Sequence, residues 1–204
     1  KKQNLAYEDG SKEKKWGEFD NTKKGGINQR VWMLPNKGKI FLDVLKMHNY
    51  TNCVEAVLRK VFIHIVESNE CRKFLNINLH EKYDSLILEK KIDYLSNVNG
   101  NISSSNFKDS IIVDTLGSIE AMKIIQRLNG EKGSNRYIIS NCSSLEDILI
   151  LFALIRITGW IHPTIDIIPL FETITDLEKS INVLKNLYET KLYQNHLKNR
   201  NNKQ

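Results

Sequence analysis

The chain has 204 residues, 41% of them hydrophobic and 26% charged, with a formal net charge of +6. That is a globular composition for one domain or a large part of one, and no apolar run reaches the roughly 18 residues a membrane helix needs. The opening Lys1-Lys2-Gln3-Asn4 carries neither Met nor an apolar core, so we expect no intact secretory signal and a protein that begins upstream.

Residues 1–38 are polar and Lys-rich, with Gly25-Gly26 and Pro35, and make a poor core by themselves. We expect this stretch to be partly disordered and treat 1–50 as one segment and 51–204 as the folded region. Much of the excess charge sits in the tails, at Lys12, Lys14, Lys15, Lys23 and Lys24 and again at Lys198, Arg200 and Lys203. No stripe of Lys and Arg alternates with aromatics, so a solvated surface is expected rather than a nucleic-acid partner.

Val54, Val57, Leu58, Val61, Phe62 and Ile65 recur at helical spacing and predict a helix over 52–67. His64, near the same surface, reads as a half-buried histidine rather than a metal ligand. A second helix is expected over 84–95, opening at Asp84 or Ser85, and a loop over 97–106. Ile111-Ile112-Val113 is a short apolar run ending in Asp114-Thr115, which would start a helix over 116–128. That helix stops at Asn129-Gly130.

Tyr137-Ile138-Ile139-Ser140 predicts a strand. Ser143 or Ser144 caps the next helix, 145–158, with Glu146 or Asp147 three residues on. This helix is apolar nearly all round and therefore buried on most sides. Ile165-Asp166-Ile167-Ile168 predicts a second strand, closed by Pro169. A capping box at Thr175 and Glu178 opens a helix over 176–188 with Leu177, Ile181, Leu184, Leu187 and Tyr188 inward. Strand–helix–strand–helix at this spacing implies parallel strands with a right-handed crossover, in a barrel or an open α/β sheet.

Cys53, Cys71 and Cys142 are odd in number and lack Cys-x-x-Cys spacing. That argues against a disulfide framework or a zinc site and fits a reducing cytoplasm. Gly130-Glu131-Lys132-Gly133-Ser134 lacks the spacing of a phosphate loop and follows a helix instead of a strand.

Functional groups of parallel α/β proteins gather at the carboxyl ends of strands. Asn141 follows the first strand and Glu172 the second. The Glu172 carboxylate stands among apolar neighbours in Pro169-Leu170-Phe171-Glu172-Thr173. It reads either as one ligand of a Mg²⁺ ion or as an acid favoured near a helix start.

The runs Asp-Thr-Leu-Gly-Ser-Ile-Glu-Ala-Met (114–122), Tyr-Ile-Ile-Ser-Asn-Cys (137–142), Leu-Phe-Ala-Leu (151–154), Thr-Gly-Trp (158–160), Asp-Ile-Ile-Pro-Leu-Phe-Glu-Thr-Ile (166–174) and Asp-Leu-Glu (176–178) resemble phosphoenolpyruvate carboxylase. His-Leu-Lys (196–198) and Asn-Lys-Gln (202–204) fit as well, and the likeness covers about 84–204. The resemblance implies a helix-rich α/β fold that is part of a parallel (βα) TIM-type barrel. It also implies a Mg²⁺ or Mn²⁺ ion held by Glu172, and phosphoenolpyruvate and bicarbonate as substrates giving oxaloacetate and phosphate. The parent enzyme it implies is a cytoplasmic homo-oligomer.

The departures concern the rest of the active site. The family's catalytic histidine lies in a Thr-x-His-Pro-Thr-Glu motif. Ile161-His162-Pro163-Thr164 imitates it, but Ile165 replaces the acid, and the string stands before the Glu172 strand, so His162 reads as a loop residue. Phe41-Leu42-Asp43-Val44-Leu45-Lys46 answers the family's Leu-Asp-Ile-Arg-Gln with Leu45 where arginine belongs. The second metal carboxylate, in Gly-Tyr/Phe-Ser-Asp, is expected just after Gln204, and the glycine-rich loops later still. The isolated chain is therefore expected to be inactive and to expose apolar barrel edges. A noncatalytic basic binding module, or another enzyme of the phosphoenolpyruvate/pyruvate barrel type, is the competing reading.

Overall fold

The computed structural model describes residues 51–202. The readings made for 1–50, including Leu45, and for Lys203 and Gln204 lie outside the described residues.

The described chain is helix-rich α/β around a three-stranded parallel sheet. Strands β1 (Thr51–Val54), β2 (Arg136–Ser140) and β3 (Asp166–Pro169) lie in the order β1-β2-β3. Thr51 pairs with Tyr137 and Val54 with Ser140, while Arg136 pairs with Asp166 and Ile139 with Pro169. Pro169 is tolerated because it closes its strand, where its missing N–H costs no ladder bond.

Helix α1 (Glu55–Glu67) follows β1 directly. The helix expected from residue 52 thus yields its first turn to the sheet. Thr51 and Val54 are β-branched, and pairing with β2 overrides the helical period they share with the residues after them. Leu58, Val61, Phe62, Ile65 and Val66 are buried, whereas His64 is exposed. A 3₁₀ turn at Tyr83–Ser85 delays helix α2 to Leu88–Asn97. Asp84 does not cap it, because its carboxylate is ion-paired with Arg59. The same guanidinium also bonds Glu146, which accepts from Tyr83 Oη at 3.1 Å, with Lys91 Nζ at 3.6 Å.

Helix α3 runs unbroken from Ser110 to Asn129. The apolar run at 111–113 is therefore its first turn, and the expected start at Asp114-Thr115 is corrected to Asp109. That carboxylate accepts from the otherwise unpaired N–H groups of Ile111 and Ile112 at 2.8 and 3.3 Å. Thr115 instead bonds back to the Ile111 carbonyl at 2.7 Å.

Helix α4 (Leu145–Ile157) opens on a reciprocal capping box between Ser144 and Asp147, and every residue from Asp147 to Ile157 is buried. Arg156 is accommodated there because its guanidinium donates to the Ser96 and Asn97 carbonyls at 2.6 and 3.3 Å, closing the end of α2. Residues 97–106, expected as a free loop, cross the end of α4: Gly100 N–H reaches Arg156 O at 3.3 Å, Ile102 N–H reaches Ile157 O at 2.9 Å, and Ile102 is buried.

Helix α5 (Ile174–Glu189) is capped by Thr173, whose hydroxyl accepts from Asp176 N–H at 3.1 Å, two residues before the expected box at Thr175 and Glu178. Its inward face also differs from the expected one. Val183 and Leu187 are buried, while Ile174, Leu177, Ile181 and Tyr188 are exposed, Ile174 at 78% and Ile181 at 76%. The apolar period is real, but among its large apolar residues only Val183 and Leu187 are buried by the elements packed around it.

The last helix, α6 (Lys191–Asn199), brings Arg200 against the start of β3. Arg200 donates to Asp166 Oδ1 from Nε at 2.7 Å and to Glu131 Oε1 from Nη2 at 2.8 Å. It is therefore a buried structural cation and not part of a loose basic tail. Among the described residues, no helix is long and apolar enough to cross a membrane.

Candidate functional site

The three parallel strands end on one edge of the sheet, and each sends a polar residue from that edge. Glu55 follows Val54 at once, Asn141 follows Ser140 at once, and Glu172 stands three residues after Pro169. Asn141 adopts a left-handed backbone with φ 58°, a conformation asparagine enters more readily than other side-chain-bearing residues. The turn it makes aims two successive amides at the loop after β3. Asn141 N–H donates to Glu172 Oε1 at 3.0 Å, and Cys142 N–H donates to Leu170 O at 2.9 Å. Leu170 N–H returns to Ile139 O at 2.9 Å. The loops after β2 and β3 are thereby stitched together by backbone groups.

The Asn141 side chain then reaches the third strand end, with Nδ2 donating to Glu55 Oε1 at 3.0 Å. Glu55 Oε2 is buried, and among the described residues it has no hydrogen-bond partner. Glu172 and Asn141 are exposed and Glu55 is half-buried. Of the Glu172 oxygens, Oε1 is held by the Asn141 amide, and no described residue bonds Oε2.

The two residues singled out from sequence, Asn141 and Glu172, are thus brought together. Glu55 escaped notice because its segment carries a helical period. The available signal was an acid directly after Thr51-Asn52-Cys53-Val54, a short run that begins and ends on a β-branched residue.

Other polar groups lie elsewhere. His162 is exposed in the loop that enters β3, at the opposite end of that strand from Glu172. The 130–134 segment is a 3₁₀ turn between α3 and β2, with Glu131 engaged by Arg200. Cys53, Cys71 and Cys142 are free thiols, and Cys53 is only half-buried rather than enclosed. Burial, and then the nearby Asp147 charge, pushes the Cys142 thiol up to about 12, and burial raises Cys53. Both therefore stay protonated and unreactive. An open groove of about 1340 Å³ runs past Asn97, Arg156, His162, Lys179 and Asn186. It is lined by none of Glu55, Asn141 and Glu172, so its size does not make it the chemical site.

A carboxylate with one oxygen fixed by an amide and the other open is a suitable hard donor for Mg²⁺ or Mn²⁺, which take one or two protein carboxylates and fill the remaining positions with substrate oxygens and water. Among the described residues, no group of three or more His, Cys, Asp and Glu could enclose an ion. The described chain therefore fits one edge of such a centre and not a complete cage.

The family model for phosphoenolpyruvate carboxylase matches residues 64–204. The chain is similar to proteins of that name from Corynebacterium efficiens (47% identical over 75 residues, 33% of this chain and 8% of the relative) and Trichormus variabilis (35% over 83 residues, 37% and 8%). It is also similar to the one from Nitrosomonas eutropha, 27% identical over 169 residues, 80% of this chain and 17% of the relative. The chain thus spans less than a fifth of the length of these relatives.

Proposed function

Because the chain belongs to the phosphoenolpyruvate carboxylase family, we propose that it forms one edge of the metal-binding mouth of an enzyme joining bicarbonate to phosphoenolpyruvate. The products are oxaloacetate and phosphate. The observation that carries the reading is the Glu172 carboxylate, tied to the tip of the neighbouring strand with Oε2 open.

In the proposed reaction, bicarbonate oxygen attacks the phosphoryl group, forming carboxyphosphate and the enolate of pyruvate. Carboxyphosphate then yields phosphate and carbon dioxide, and the enolate carbon bonds to that carbon dioxide. A bound Mg²⁺ or Mn²⁺ would supply Lewis acidity to the enolate oxygen. This chain's part is positional. The Asn141 amide holds Glu172 Oε1, Oε2 would be the oxygen to hold such an ion, and the stitched loops keep both strand ends from drifting.

Sequential order of three parallel strands, each followed by a helix, fits an arc of a closed (βα) barrel, the reading that family membership favours. The exposed Ile174, Leu177, Ile181 and Tyr188 support further barrel helices packing on α5. Since the chain matches less than a fifth of the length of these relatives, it is read as inactive in isolation. The parent is read as a cytoplasmic homo-oligomer.

The test is a chimera. The matching segment of the Nitrosomonas eutropha relative is replaced by the residues of this chain that align with it, and oxaloacetate formation is followed through a coupled dehydrogenase. Activity is expected and should fall at least about 100-fold in Glu172→Gln, the scale of losing a charge-stabilising group. A folded, active chimera indifferent to Glu172→Gln would refute the assignment.

A further inference from the structure

We infer that Glu55 is a positioning residue for Glu172, acting through Asn141; this rests on the reading of Glu172 as a metal ligand. The argument starts from the left-handed turn at Asn141. A φ of 58° is open to asparagine but is one of several conformations it samples, so the bonds made from it select that turn. Asn141 N–H and Nδ2 point to different strand ends, toward Glu172 Oε1 and Glu55 Oε1, each at 3.0 Å. Removing the Glu55 bond leaves the turn held only from the β3 side, by the Asn141 and Cys142 amides. The Glu55 bond joins groups 86 positions apart in sequence, and the Glu172 bond joins groups 31 apart. The loop after β2 is thus clamped from both neighbouring strands.

Glu55 is itself well fixed. It is the first residue of α1, directly after β1, where the free N–H groups of the helix favour an acid. Its Oε2 is buried with no partner among the described residues, an arrangement that costs stability and would be lost by an apolar replacement. A carboxylate kept half-buried in this way, with its other oxygen spent on Asn141, acts as an orienting group. Groups that orient a ligand from behind typically change metal affinity by 10- to 100-fold when removed.

The experiment uses the full 204-residue chain. The amide of Asn141 is followed by ¹⁵N NMR hydrogen exchange without metal, and by paramagnetic broadening on Mn²⁺ titration. Glu55→Ala should speed Asn141 amide exchange about 10-fold and weaken the Mn²⁺ effect around Glu172 by about 10-fold. Glu55→Gln keeps a carbonyl acceptor for Asn141 Nδ2 and should stay within about threefold of the unaltered chain. Unchanged exchange in Glu55→Ala overturns the inference. So does equal loss in Ala and Gln, which would mean that Glu55 acts by its charge. Circular dichroism confirms that each variant is folded, and Glu55→Gln decides the matter if Glu55→Ala does not fold: loss on the Ala scale in Gln overturns, retention supports. The underlying metal reading fails separately, if Mn²⁺ broadens nothing near Glu172 or if Glu172→Gln leaves the broadening intact. The metal-free exchange at Asn141 then still decides the role of Glu55.

Discussion

The backbone amide of Asn141 and the carboxylate of Glu172 meet at 3.0 Å, although 31 positions separate them in the chain. The bond depends on the left-handed turn at Asn141, and that turn can be tested directly. Asn141→Gly keeps the amide donor and relaxes the backbone, losing only the reach to Glu55, and should change stability by less than about 1 kcal/mol. Asn141→Val forces a β-branched residue to φ 58° and should cost about 1–2 kcal/mol. Urea unfolding of the two variants checks the order.

His196 is buried against Phe152, with ring centroids 4.9 Å apart, and stacks on Tyr193. Burial first, and then the Arg200 cation, pushes its imidazole down to about 4 from 6.5, against weaker opposition from the Ile165 backbone and Asp166. Between those values the unfolded chain holds the proton and the folded chain does not. Stability is therefore full above pH 6.5 and falls as pH drops toward 4, by up to about 3 kcal/mol. Denaturant midpoints at pH 7.5 and 5.0 should diverge less in His196→Phe, which keeps an aromatic at the site.

Arg200 links the end of α6 to the start of β3 through Asp166 and to the α3–β2 turn through Glu131. Its side chain and that of Asp166 are nearly enclosed, so removing one partner strands the other. Arg200→Ala should cost about 3 kcal/mol. Restoring neutrality with Arg200→Ala plus Asp166→Asn should recover part of that, which a double-mutant cycle of thermal melts would measure.

Gly100 sits where two backbone carbonyls converge. A Cβ there would lie 2.6 Å from Phe74 O and 3.3 Å from Ile157 O. Gly100→Ala should destabilise by about 1–3 kcal/mol, with fastest-exchanging amides at Gly100, Asn101 and Ile102. A melt unchanged from the parent would show that the crossing over α4 is looser than these distances imply.

The local elements were readable because their causes are local. The all-round apolar 145–158 stretch had to be buried, Ser143 or Ser144 had to start it and the structure selects Ser144, and Tyr137 to Ser140 is a short aromatic and β-branched run of strand length. Asn141 and Glu172 could also be placed, since parallel architecture puts residues after strands on one edge. What sequence spacing misassigned depended on distant partners. Residues 51–54 became a strand because β2 offered a free edge, Asp84 left its helix for Arg59, and Arg200 left the solvent for Asp166. The face of α5 that became buried was decided by the elements packed against it, not by its own period. Glu55 is the clearest case: its neighbours along the chain assign it to an ordinary helical turn, and only a hydrogen bond from a residue 86 positions away makes it part of the site. Periodicity reports which residues avoid water; which polar group meets which is set by the path of the whole chain.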